Sequence, residues 1–126
     1  MKLFSSLVIY GVLLMSMSAH AEFKSFSKSD YDAAIKSGNT VVVDFHASWC
    51  PTCRKQEPIL NEIVGMKGYE NVVALKADFD KEKDLKKSLG ISKQSTVVVF
   101  KGGKEVGRST GSTSKDDLKK LIDMGL

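Results

Sequence analysis

Apolar positions along this chain change period several times, and each change marks an element. Phe23 to Phe26 alternates apolar with polar residues and predicts a short edge strand. A helix follows to Ser37, with Ser29 or Asp30 as its cap and Gly38 at its C-terminal end. Val41-Val42-Val43-Asp44-Phe45 is a continuous β-branched run between turn residues, the pattern of a strand covered on both faces. Ile59, Leu60, Ile63 and Val64 then fall at helical spacing, and Pro58 inside that pattern predicts a kink. Val72 to Ala77 predicts another buried strand, Lys83 to Leu89 a helix ended by Gly90, and Thr96 to Phe100 a third apolar strand. Gly102-Gly103 predicts a hairpin turn into Lys104-Glu105-Val106. A last helix starts near Lys115, capped by Thr113 or Ser114, and buries Leu118, Leu121 and Ile122.

The resulting order, β-α-β-α-β-α-β-β-α, predicts an α/β fold with a central mixed β-sheet and helices on both faces. Residues 22–126 form one domain, with no linker, repeat or low-complexity stretch inside it. Residues 1–21 read differently. Lys2, an apolar run from Leu3 to Met17 and a small-x-small Ala19-His20-Ala21 site predict a secretory signal peptide cut before Glu22. The run is shorter than the roughly 20 residues that span a bilayer, so no stable membrane insertion is expected after cleavage. The predicted location is the periplasm or the exterior.

Charge adds little. The chain carries +4 at pH 7, and its lysines alternate with acids, as in Asp80-Lys81-Glu82-Lys83-Asp84, which excludes a block suited to nucleic acid.

The chemistry lies in Trp49-Cys50-Pro51-Thr52-Cys53, which holds both cysteines of the chain between a buried strand and a helix. With Cys50 opening the helix, its sulfur faces unpaired backbone N–H groups and the positive end of the helix dipole, and both favour thiolate. An inert staple is disfavoured, because so short a loop removes little entropy from the unfolded chain. Zinc is disfavoured too, since His20 and His46 are the only histidines and a tetrahedral site needs two more ligands. The expectation is thiol-disulfide exchange with no metal and no cofactor beyond a redox-active Cys50–Cys53 disulfide. Outside the cytoplasm such a dithiol needs a dedicated electron donor, which implies a protein partner.

Val43-Asp44-Phe45, Ala47, Trp49-Cys50-x-x-Cys53 and Pro58-Ile59-Leu60, followed by Gly90-Ile91, Thr96 to Phe100, Lys101-Gly102-Gly103 and Gly111, together resemble the thioredoxin family over nearly the whole of residues 22–126. The resemblance implies the thioredoxin fold, with Cys50 the nucleophile, Cys53 the buried resolving thiol and Asp44 the acid beneath them. Lys76 matches the family's lysine near that acid, and a coupled Asp44 and Lys76 pair is expected. Burial among valines independently predicts a raised Asp44 pKa. Trp49, the only tryptophan, is expected as a partly exposed platform for a substrate chain.

Two departures stand out. The family carries a cis-proline before its third apolar strand, and here the stretch Gln94-Ser95-Thr96 puts Ser95 in its place. These three residues are the expected substrate-binding loop, with Ser95 adding a hydroxyl and an N–H. The bond before Ser95 is trans unless its surroundings hold it cis against roughly 2.5 to 4 kcal/mol. His46 stands where many relatives have an aromatic residue and is expected to be a surface or packing residue. Pro51 and Thr52, supporting residues of the motif, resemble those of exported reductases serving cytochrome c maturation.

The expected function is therefore an exported, monomeric protein-disulfide reductase restored by a membrane electron donor. The alternatives are a disulfide oxidase or isomerase, and a low-turnover binding module that uses the Ser95 loop.

Overall fold

In the computed structural model of the chain, Gly11 and residues 20–126 are described. The predicted signal peptide lies almost wholly outside them. The elements are β1 (Phe23–Ser25), α1 (Lys28–Lys36), β2 (Val41–His46), α2 (Pro51–Val64), β3 (Val73–Asp78), α3 (Lys83–Leu89), β4 (Thr96–Lys101), β5 (Lys104–Thr110) and α4 (Lys115–Asp123). They build a five-stranded sheet in the order β1-β3-β2-β4-β5. β3 runs parallel to β1 and β2, while β4 is antiparallel to β2 and β5. The sheet is mixed, as the element order predicts.

Strand β2 is the centre of the molecule, and alternation along it sorts the core into two layers. Val41, Val43 and Phe45 point to one face, where they join Leu75, Val98 and Phe100 under Ala34 of α1 and Leu85 of α3. Val42 points to the other, with Val97 and Val99, under Leu60, Ile63 and Val64 of α2 and Leu118 and Ile122 of α4. Asp44 shares the α2 face with Val42. Each buried aliphatic chain in these layers contributes roughly 1.5–3 kcal/mol. An ionised carboxylate at Asp44 would offset more than one of them, so this position is set by chemistry rather than packing.

Helix ends follow local side-chain chemistry, with one correction. Ser27 caps α1, its hydroxyl accepting the Asp30 N–H at 3.1 Å, in place of Ser29 or Asp30. The extended backbone of Ser27 suits a cap, whereas the two later residues already lie in the first turn. Ser114 caps α4 through the Asp117 N–H, and left-handed Gly90 (φ 66°) closes α3. Helix α2 continues through Pro58 to Val64; Pro58 has no N–H to return to the Arg54 carbonyl. β5 runs to Thr110, past the predicted Val106, because β4 offers it a partner as far as Thr96. Among the described residues no helix is long and apolar enough to cross a membrane.

Candidate active site

The site forms where β2 gives way to α2. A turn closed by the Cys50 N–H on the Ala47 carbonyl (3.1 Å) leaves Cys50 extended (φ −92°, ψ 115°) as the N-cap of α2. Pro51 follows at N1, where its missing N–H costs nothing and its fixed φ suits the helix. Thr52 is half-buried beside it. At the cap, Cys50 does with sulfur what serine does with oxygen: its Sγ accepts the Cys53 N–H at 3.2 Å. Cys53 lies one turn inside with 1% of its surface exposed, and Cys50 itself exposes only 3%.

Burial alone would push the Cys50 thiol up. Hydrogen bonds from the Cys53 thiol, the Ser95 hydroxyl, the Cys53 N–H and the Gln94 side chain outweigh it and bring Cys50 down to about 7. Burial and the neighbouring Cys50 sulfur push the Cys53 thiol the other way, up. The two sulfurs are thereby differentiated: Cys50 ionises near neutrality, and Cys53 holds its proton.

Ser95 sits over the pair. Its hydroxyl is 2.9 Å from Cys53 Sγ and 3.3 Å from Cys50 Sγ. The described residues contain no cis peptide bond, so Gln94-Ser95 is trans. The chain instead turns through a positive φ of 62° at Ser95, the only non-glycine residue in that state among those described. The expectation that Ser95 offers its N–H to a substrate chain needs correction: that N–H is bonded to the Phe45 carbonyl at 2.9 Å. Its carbonyl accepts the Gly111 N–H (3.0 Å), which Gly111 can present because it adopts φ 77° without a Cβ penalty, and the Gln56 amide (3.3 Å). Thr96 is 3% exposed and its hydroxyl bonds the Lys93 carbonyl and Thr110, so its side chain does not reach a substrate face. Gln94 does remain at the surface of the loop, half-buried.

Beneath this layer Asp44 is 2% exposed, and its Oδ1 has no hydrogen-bond partner. Desolvation chiefly, with the nearby Glu57 charge and a smaller contribution from Cys50, raises its pKa to about 7 against the opposing pull of Lys76. Asp44 and Lys76 are register partners across β2 and β3 and are electrostatically coupled as expected, but the hydrogen-bonded partner of Lys76 comes from α2. The Lys76 Nζ lies 3.1 Å from Glu57 Oε1, and His46 Nε2 lies 3.6 Å from Glu57 Oε2. His46 is thus a partly buried neighbour of that carboxylate, its Nδ1 without a partner. A recess of about 390 Å³ opens beside His46, Lys76 and Asp78, and neither cysteine lines it.

Trp49 is on the surface, 57% exposed, and its Nε1 donates to Asp80 Oδ2 at 2.8 Å. That bond ties the indole of the residue preceding Cys50 to Asp80. The two thiols are the only grouped soft ligands here, and among the described residues no three His, Cys, Asp or Glu side chains gather into a metal site.

Sequence reasoning missed Gln56 and Glu57. Gln56 has no exposed surface, and its amide reaches both the Ser95 and Ser112 carbonyls. A signal existed: Gln56 is three residues after Cys53 and four before Leu60, on the buried stripe of α2, where a polar residue demands a partner. Glu57 had no such signal, since it lies toward the edge of that stripe.

Comparison with known proteins agrees with this geometry. The family profile described as Thioredoxin matches residues 22–124. The chain belongs to the thioredoxin family. It is 40% identical over 96 residues to "Thioredoxin" of Chlamydia muridarum, covering 76% of this chain and 91% of that one. It is 37% identical over 93 residues to "Thioredoxin H2-1" of Oryza sativa subsp. japonica, covering 74% of this chain and 65% of the relative's own length. Among solved structures, Trxlp from Edwardsiella tarda EIB202 superposes with a TM-score of 0.77 at 32% identity, over 80% of this chain and 98% of that one. As a thioredoxin-family member the chain is a protein-disulfide reductase, and its fold is the thioredoxin fold.

Proposed function

We propose that this thioredoxin-family protein acts on disulfides of exported proteins, with Cys50 as the attacking thiol and Cys53 as the resolving one. The observation that carries the reading is the Cys50 sulfur at the N-cap of α2, accepting the Cys53 N–H and held at about 7. Near neutral pH a large fraction is thiolate, the reactive form. The thiolate bonds one sulfur of a substrate disulfide, and the other sulfur leaves with the electron pair of the broken bond. Cys53, once deprotonated, attacks Cys50 Sγ and displaces the substrate's remaining sulfur. The products are a Cys50–Cys53 disulfide and a substrate carrying two more electrons.

Asp44 is the proposed acceptor of the Cys53 proton, because a carboxyl near 7 is shared between its two forms at working pH. Trp49 and Gln94 border the surface on which the substrate chain would lie. The direction of flow is supported by the thiol itself. A value of about 7 is the one found in reducing Cys-x-x-Cys proteins, against roughly 3.5 in the strongest disulfide oxidants.

Export rests on the leader at residues 1–21, with β1 beginning one residue past the proposed new terminus at Glu22. A membrane electron donor and a monomeric state complete the proposal. Catalytic insulin reduction with dithiothreitol, together with a mature N-terminus at Glu22 in protein recovered from outside the cytoplasm, tests it. A full-length cytoplasmic product would end the export reading. A low-turnover binding module is the second reading, favoured by the 3% exposure of Cys50 and by a Ser95 backbone already engaged inside the fold. It predicts a stoichiometric mixed disulfide on Cys53→Ser protein, without insulin turnover by the parent.

A further inference from the structure

Two unfavourable arrangements converge on the placement of one hydroxyl. Ser95 holds a left-handed backbone that side-chain-bearing residues rarely adopt. Gln56 is completely buried, and its Oε1 has no hydrogen-bond partner. The Gln56 Nε2 donates to the Ser95 carbonyl at 3.3 Å and to the Ser112 carbonyl at 2.8 Å, joining the loop before β4 to the loop after β5. The Phe45 carbonyl and the Gly111 N–H hold the remaining backbone groups of Ser95. What this frame presents is the Ser95 Oγ, within bonding distance of both sulfurs.

We propose that Ser95 is a further catalytic residue of the dithiol, its hydroxyl hydrogen-bonding whichever sulfur carries the negative charge, and that Gln56 is the positioning residue that keeps it there. The inference rests on the exchange chemistry proposed above. A hydroxyl has one proton to donate and two lone pairs to accept with. In the reduced centre the Ser95 O–H and the Cys53 S–H both donate to the Cys50 thiolate.

After Cys50 has bonded a substrate sulfur it is no longer anionic. As Asp44 takes the Cys53 proton, the Ser95 proton turns to Cys53, 2.9 Å away, and stabilises the thiolate formed there. In the resolving step the Cys53 sulfur bonds Cys50 Sγ, the bond from Cys50 to the substrate breaks, and its electron pair leaves on the substrate sulfur, which takes a proton from solvent. Ser95 keeps its own proton throughout. Neither sulfur of the final disulfide is an anionic acceptor, so the hydroxyl favours the dithiol over the disulfide.

The test uses the full chain and small thiol reagents. The pH dependence of Cys50 alkylation by iodoacetamide, and the equilibrium with a glutathione redox buffer, are measured for wild type, Ser95→Ala, Gln56→Met and the double variant. Other titrating or charged groups around the sulfurs are Asp44 and, behind it, Glu57, Lys76 and His46; all stay unchanged. Loss of one charge-assisted hydrogen bond should move the Ser95→Ala equilibrium about tenfold toward disulfide, about 30 mV more reducing, with the alkylation midpoint shifted to higher pH. Gln56→Met should shift both in the same direction by less, and the double variant should go no further than Ser95→Ala.

Wild-type alkylation and equilibrium in Ser95→Ala would overturn the role of the hydroxyl. A Gln56→Met protein of lowered unfolding midpoint but wild-type thiol titration, or effects that add in the double variant, would overturn positioning by Gln56. Neither readout needs a protein substrate. A wild type that fails to reduce insulin would therefore strike at the proposed function and leave this result standing.

Discussion

Glu57 holds the Lys76 ammonium at 3.1 Å, while the Asp44 carboxyl that Lys76 faces across the sheet keeps an oxygen with no donor. The ion pair therefore lies between a helix and a strand, one step removed from the buried acid. Glu57 raises the Asp44 pKa twice over: its own charge repels the carboxylate, and its hold on Lys76 limits how far that cation can compensate. Glu57→Gln should bring the Asp44 midpoint below about 7, and Lys76→Met should push it higher, as followed by carboxyl carbon NMR. Identical Asp44 titrations in all three proteins would show that the pair is too exposed to matter.

The same burial makes Asp44 a stability cost with a defined pH window. Below about pH 4 the carboxyl is protonated in both folded and unfolded chains, and the cost is absent. As pH rises toward 7 the unfolded chain ionises while the folded one cannot, so stability falls; above about 7 the cost is constant. Its ceiling is on the order of 4 kcal/mol. Asp44→Asn should therefore gain stability at pH 8, by about 2 to 4 kcal/mol once part of the ceiling is lost to an unpartnered amide, and gain almost none at pH 4. Urea unfolding at the two pH values measures it, and an equal gain at both would mean that charge is not the cause.

How much of this could be read from the chain depends on whether the signal was local. The valines of β2, the glycine after α3 and the Cys50-Pro51 junction are set by residue type and spacing, and each stands where its pattern puts it. The Ser95 substitution was visible, yet its consequence was not, because a hydroxyl bridging two sulfurs depends on two segments far apart in sequence, 50–56 and 95. Likewise Lys76 could be matched to Asp44 by register alone, but its actual partner arrives from α2, and register carries no information about a helix laid over the sheet. The sequence predicts Thr96 both to open the third apolar strand and to belong to the substrate-binding loop; β4 does begin there, and the strand turns its side chain inward, away from a substrate.

The thiols supply a further prediction. Cys50 alkylation should rise with pH through a midpoint near 7, followed at higher pH by a second rise as Cys53 ionises beside it. Reaction of the reduced protein with iodoacetamide from pH 5 to 10, with peptide mapping of the labelled cysteine, resolves the two. A single midpoint near 9 for Cys50 would mean that the cap and its neighbours give the sulfur no assistance.

Trp49 and Asp80 make the last case, because their bond separates substrate docking from thiol chemistry. The indole N–H is tied to Asp80 Oδ2 at 2.8 Å, at an exposed position where neither residue supports the core. Removing the carboxylate by Asp80→Ala frees the ring to rotate but leaves the α2 cap and the Ser95 contacts untouched. Iodoacetamide alkylation of Cys50 should then stay within about twofold of wild type, while the rate of insulin reduction falls several-fold, roughly the effect of losing an ordered aromatic contact worth about 1 kcal/mol. Trp49 fluorescence should shift in the reduced protein as the indole loses its acceptor. A parallel fall in both rates would place Asp80 in the thiol machinery instead, and unchanged insulin turnover would remove Trp49 from the docking surface.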